Sequence, residues 1–153
     1  MDLSLSYLFK GLNKNQLKKI EAIAEEVSIV VGQTIIKEGE KAKALYILKS
    51  GAIELVTKVE KNFELPITCL REAGDIFGSG VLVVPYQYTL TARCFKKGIL
   101  LRFEKSALHK LMKSDRDMGC HVMKNLAEYL LLRLKESRHE IKIHFSTLVK
   151  SYR

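Results

Sequence analysis

Gly32-Gln33-Thr34-Ile35-Ile36-Lys37-Glu38-Gly39-Glu40 leads, a few residues later, into Leu45-Tyr46-Ile47-Leu48-Lys49-Ser50-Gly51. Short runs of β-branched, aliphatic and aromatic side chains alternate here with polar turns that carry glycine, the signature of short strands. The reading is a strand at 34–36 ending at Glu38-Gly39-Glu40, then a strand at 45–48 that reaches a Ser50-Gly51 turn. A strand reversal needs a residue that accepts positive φ, and glycine does so without steric cost. Gly32, Gly39, Gly51 and Gly74 are read in that role.

The same texture continues on both sides. Upstream, residues 27–31 form a run that stops at Gly32. Downstream, 52–59 runs back out, Lys61-Asn62 turns, and 65–70 follows. Gly74-Asp75 marks another turn, and Gly98 a last one before 99–103. Many short strands with no helices between them predict an antiparallel barrel or sandwich. The stretch Gly78-Ser79-Gly80-Val81-Leu82-Val83 departs from this pattern and admits a short helix in place of a strand.

Both flanks have helical period. Over 4–26, Leu5, Leu8, Phe9 and Leu12 recur at helical spacing, interrupted by Gly11. Asn13 or Asn15 is placed to cap a second helix with Leu17, Ile20, Ile23 and Ala24 on its apolar side. After Phe103, residues 105–114 predict a short helix, and 115–150 a long one without proline. Ala127, Leu130, Leu134, Ser137, Ile141, His144 and Leu148 fall at heptad spacing, the pattern of a seam against another helix. About 35 residues at about 1.5 Å each exceed what a barrel of this size can cover, so the seam predicts a parallel pair in a homodimer. The fold class is α+β. A single domain spans 1–153, with N-terminal helices (1–26), an antiparallel β-barrel or jelly roll (a double-stranded β-helix, 27–103) and C-terminal helices (104–153).

Charge is unevenly distributed. The net charge is +9, residues 1–92 hold 11 basic and 11 acidic side chains, and residues 93–153 hold 15 and 6. The whole excess therefore lies in the C-terminal part, an asymmetry that can attract nucleic acid, acidic lipid headgroups or an acidic protein. The three cysteines, Cys69, Cys94 and Cys120, form no CxxC pair, which predicts reduced thiols in a cytoplasmic protein. The longest apolar runs, near 99–101 and 129–132, are too short to span a bilayer, and no targeting segment is visible. No nucleophile elbow, P-loop, HExxH or dinucleotide fingerprint occurs, so a non-catalytic protein is expected. His109, His121, His139 and His144 lack metal-ligand spacing, and three scattered cysteines do not make an iron–sulfur site.

Five pieces in order carry a resemblance. They are Phe9-x-Gly11-Leu12 with Gln16-Leu17; Gly32-x-x-Ile35-Ile36-x-Glu38-Gly39-Glu40; Leu45-Tyr46-Ile47-Leu48-x-Ser50-Gly51; Gly74-Asp75-x-Phe77-Gly78; and Pro85-x-x-x-Thr89-Leu90-x-Ala92. Together they resemble the cyclic-nucleotide-binding domain of catabolite-activator and FNR-type regulators, kinase regulatory subunits and gated channels. The resemblance implies a sensor domain whose ligand site is a phosphate-binding cassette between Phe77 and Ala92. In that family a short helix offers N–H groups to the phosphate, a glutamate after Phe-Gly holds the ribose, and an arginine after the proline pairs with the phosphate.

Both polar anchors differ in this chain: Ser79 stands at the glutamate position and Tyr86 at the arginine position, and the segment looks shorter than usual. Two hydrogen bonds to charged groups are worth about 3–6 kcal/mol together, or roughly 10²- to 10⁴-fold in affinity. The ligand implied is a cyclic nucleotide or another small anion. The candidate ligand residues are Phe77, Gly78, Ser79, Gly80, Val81, Tyr86, Gln87, Tyr88, Thr89 and, from the long helix, Arg133. Strand alternation sets Arg93 on the face of Thr89 and Thr91, away from Tyr88, Leu90 and Ala92. Ligand binding is expected to move the long helix about a hinge near Ser114-Asp115. Transcription regulators of the family continue into a helix-turn-helix, whereas this sequence stops at Ser151-Tyr152-Arg153, so specific DNA binding is not expected.

Overall fold

A computed structural model describes residues 2–153. The chain opens with a single 3-10 turn at Leu3–Leu5, passes through turns, and enters α1 (Lys14–Ala22). Asn13 caps α1 with a complete capping box: its side chain accepts from the Gln16 N–H at 2.9 Å, and Gln16 accepts from the Asn13 N–H at 3.0 Å. The expected helical segment 4–26 is thus one short helix plus turns. Residues 24–26 are instead the start of β1 (Ala24–Ile29), because Ala24, Glu25 and Glu26 pair with Phe103, Arg102 and Leu101. Backbone pairing across the sheet overrides the weak local preference for helix there.

β2 (Thr34–Ile36), β3 (Ala44–Glu60), β4 (Phe63–Leu70), β5 (Ile76–Phe77) and β6 (Thr91–Glu104) complete an antiparallel, jelly-roll-like sheet. Its order is β1-β6-β3-β4, with β2 also pairing β6 and β5 pairing β3. The spine is the long β3–β6 pair, which runs from Ala44 opposite Glu104 to Val56 opposite Thr91.

Two expected turns are corrected here. Ser50-Gly51 does not reverse the chain, and Gly98 does not separate two strands. Both lie inside the continuous β3–β6 pair, at a run of register shifts from Leu48 to Ile53. Gly51 has φ 96°, and a Cβ there would lie 2.6 Å from the Lys96 carbonyl oxygen, while a Cβ at Gly98 would overlap the Ser50 carbonyl oxygen. The glycines let two backbones touch where the pair bends, which is what bulges do in curved sheets.

α2 (Lys105–Ser114) and α3 (Arg116–Ser151) follow. Asp115 caps α3 by accepting from the Met118 N–H at 3.0 Å. Met118, Val122, Asn125 and Leu126 are the buried face of α3, and every residue beyond Leu134 is exposed. The amino-terminal segment holds the buried half in place. Asn125 donates from Nδ2 to the Leu8 and Lys10 carbonyls, both at 2.9 Å, and Gln16 Nε2 donates to Asp117 at 2.9 Å. The core joins the two layers, with Phe9 set edge-on to Phe103 at 5.5 Å among Leu8, Ile20, Leu45, Ile47 and Leu100. Among the described residues no helix is long and apolar enough to cross a membrane.

Candidate functional site

Between the sheet and the start of the exposed part of α3 lies a cavity of about 360 Å³. The turn after β5 forms one wall. Gly78 sits there in the left-handed region, at φ 78°, with the Ala44 carbonyl 2.9 Å and the Tyr88 ring 3.4 Å from where a Cβ would stand. Such crowding, together with positive φ, leaves room only for glycine. A 3-10 turn (Ser79–Leu82) follows, realising the short helix that the sequence admits in place of a strand.

β5 and this turn are each tied to a helix. Tyr129 of α3 donates from its hydroxyl to the Ile76 carbonyl at 3.3 Å, and the imidazole of His109 in α2 meets the Val81 carbonyl through Nε2 at 2.6 Å. The opposite side of the turn is set by Tyr88. Its hydroxyl donates to the Ala44 carbonyl at 2.9 Å and accepts from the Lys43 and Ala44 N–H groups at 3.0 Å each. One donor and two lone pairs are all a phenol has, so this hydroxyl is saturated by the protein. The ring of Tyr88 is buried in the base of the cavity.

Of the candidate ligand residues, Phe77, Gly78, Ser79, Gly80, Tyr88, Thr89 and Arg133 converge on the cavity. Val81 is buried in the core behind it, and Gln87 and Tyr86 point elsewhere. Tyr86 has φ 57°, rare for an aromatic residue. Its backbone is fixed by the Ala42 N–H, which donates to its carbonyl at 2.8 Å. Its ring packs under the Lys105 ammonium, 3.7 Å from the centroid, and edge-on to His109 at 5.5 Å, in a separate outer groove with Lys41 and Lys43. The residue at the family's arginine position is therefore turned out of the cassette. Arg93 does not line the cavity and makes a bidentate pair with Glu64 at 3.1 and 3.2 Å. Thr89, expected on its face, does line the cavity beside Tyr88 and Leu90, because β6 begins only at Thr91 and no strand alternation governs residues 88–90.

Cavity residues missed in the sequence include Ile36, Leu55 and Ile67 from the sheet, Leu90 just before β6, and Tyr129, Glu136 and Glu140 from α3. The helix residues had a usable signal: Tyr129, Arg133, Glu136 and Glu140 share one face at steps of 4, 3 and 4. Arg133 is the only basic side chain lining the cavity among the described residues, and it is already engaged. Its Nε donates to the Tyr129 hydroxyl at 3.1 Å and its Nη1 to Glu136 at 3.0 Å. Burial, only partly opposed by Arg133, pushes the Tyr129 phenol above its ordinary value, so it stays a neutral donor.

The heptad positions divide. Leu130, Leu134 and Ser137 border the cavity. Ala127, Ile141, His144 and Leu148 are exposed, and Phe145 and Tyr152 extend the same apolar stripe along α3. Among the cysteines, Cys94 is buried, and desolvation raises its thiol, which keeps it protonated.

Residues 26–115 match the Cyclic nucleotide-binding domain family. A protein of Geobacter metallireducens GS-15 described as cyclic nucleotide-binding has a crystal structure that superposes with a TM-score of 0.75. It is 32% identical and covers 86% of this chain and 95% of its own. The Thermus thermophilus Catabolite Activator Protein superposes with a TM-score of 0.75 at 23% identity, over 90% of this chain and 62% of that one, a likeness of fold. In sequence, Potassium channel AKT3 of Oryza sativa subsp. japonica is 29% identical over 128 residues, 81% of this chain and only 14% of the channel. An uncharacterized Haemophilus influenzae protein is 27% identical, over 85% of this chain and 95% of its own length.

Proposed function

Because the chain belongs to the cyclic nucleotide-binding domain family, we propose that it is a non-catalytic, cytoplasmic ligand-sensing domain that binds a small molecule in the cassette cavity and signals through α3. The observation that carries this reading is the shared wall of the cavity. Tyr129, Arg133 and Leu134 of α3 line the space that the 77–80 turn lines from the other side. A ligand seated there touches the roll and the helix at once. Any difference in its affinity for two positions of α3 then shifts the balance between them. Asp115, between α2 and α3, is the proposed hinge; its carboxylate faces Gln16 and Lys19 at 3.5 and 3.7 Å.

The output is proposed to be a homodimer paired along the exposed stripe of α3. Leu130, Leu134, Ile141, Phe145 and Leu148 are each more than two-fifths exposed, an apolar stripe interrupted by Ser137 and His144, of the kind that marks an interface. The test is a thermal-shift screen with cyclic AMP, cyclic GMP and a metabolite panel, paired with sedimentation velocity over a range of concentrations. A ligand that raises Tm and changes the association state supports sensing through α3.

A second reading draws on the saturated Tyr88 hydroxyl and its buried ring. On that reading the cassette is filled, and the chain is an interaction and dimerisation module whose basic C-terminal part takes an acidic protein partner. No thermal shift from any small molecule, with dimerisation intact, favours it.

A further inference from the structure

The wall chemistry of the cavity points away from an anion. Resting on the ligand-sensing reading above, we infer that the cavity takes an uncharged, largely apolar molecule in place of a cyclic nucleotide.

Charge is the first ground. A cyclic phosphate needs a cation free to meet it, and the one guanidinium that lines the cavity among the described residues, Arg133, donates to Glu136. Glu140 lines the same rim with no ion pair among the described residues, so the lining carries one positive and two negative side chains. An entering anion would meet a net negative rim and lose its hydration without a partner, which is costly in a confined site.

Shape is the second ground. The turn that would cradle a phosphate is only Ser79–Leu82, and the Val81 N–H already donates to the Gly78 carbonyl at 3.4 Å. The residue after the proline, Tyr86, is held outside by long-range contacts and cannot deliver a charge.

Apolar surface is the third. Ile36, Leu55, Ile67, Phe77, Leu90 and Leu134 dominate the walls. The volume of about 360 Å³ suits a small organic molecule. Thr68, Ser79 and Thr89 bring hydroxyls that make no hydrogen bond among the described residues. Neutral hydroxyls suit a neutral oxygen or nitrogen on the ligand.

The experiment uses the uncharged fluorophore N-phenyl-1-naphthylamine on the whole chain, followed by displacement with decanol, decanoate and cyclic AMP. Decanol and decanoate share a chain and differ in charge. The expected result is saturable binding of one fluorophore per chain, with decanol displacing it at a concentration about tenfold or more below decanoate, and cyclic AMP not displacing it. Ser79→Trp, which puts an indole into the cavity, abolishes the signal; Thr89→Trp serves if the first variant does not fold, with folding checked by circular dichroism. Decanoate equal to or better than decanol overturns the inference. So does fluorescence that persists in both tryptophan variants, because the probe then sits on the exposed stripe of α3. Displacement by cyclic AMP with a raised Tm overturns this inference and leaves the sensing reading standing. Failure of every small molecule to bind removes the sensing reading and this inference with it.

Discussion

Replacing Tyr88 with phenylalanine removes one oxygen and leaves the ring. That oxygen makes three hydrogen bonds, at 2.9–3.0 Å, to the backbone of residues 43 and 44. Lys43 is exposed, so its N–H can turn to water, but Ala44 has no exposed surface. A buried backbone group left without a partner costs about 1–3 kcal/mol. With the Ala44 N–H and carbonyl both affected, Tyr88→Phe should destabilise the fold by about 3 kcal/mol. For a chain of this size that corresponds to a fall in Tm of about 6–12 °C. Tyr86→Phe is the matched control. Its hydroxyl makes no hydrogen bond among the described residues, so its effect should stay within about 0.5 kcal/mol. Thermal and urea unfolding followed by far-ultraviolet circular dichroism read both variants. A Tyr88→Phe melting point within about 2 °C of wild type, or a Tyr86→Phe loss of similar size, refutes the assignment of Tyr88 as the internal post of the cassette.

At the sheet bend, Gly98→Ala drives a methyl into the Ser50 carbonyl and should destabilise the fold by about 3 kcal/mol or more, read from urea unfolding. Gly32→Ala, at φ 86° in open space, should cost only about 1–2 kcal/mol on the same measurement. Asp115 titrates below its ordinary 3.8, chiefly because the Met118 N–H donates to it, helped by Gln16 and Lys19. A depressed folded value means its contribution is complete above 3.8 and fades as pH falls through the folded value. Asp115→Asn should flatten that acid limb of stability against pH in urea titrations, while still capping α3. Ile141→Glu with Leu148→Glu should weaken self-association by about 30-fold or more in sedimentation velocity and leave Tm at high dilution unchanged.

Much of the fold was legible in the sequence because it rests on local preferences. A cap at Asn13, one of the two candidates, the span of α2 and the polar turn at Lys61-Asn62 all follow from residue types at short spacing. The misread elements are those decided by distant strands. Ser50-Gly51 and Gly98 look like turns one at a time, yet they are two halves of one contact between β3 and β6. Ala24 to Glu26 look helical until β6 is beside them.

The candidate site divides along the same line. Its location after Phe77-Gly78 and the absence of glutamate and arginine at Ser79 and Tyr86 are properties of the chain as written. Whether Tyr86 or Tyr88 enters the cavity is not. Both are tyrosines two positions apart, and the answer comes from Ala42 and Lys105 holding the first outside while Ala44 holds the second within. Local sequence sets the backbone angles a residue prefers, which is enough to mark strand-forming runs and the cap at Asn13. The direction of a side chain at a crowded turn depends on partners forty residues away in the chain, and only the folded structure brings those together.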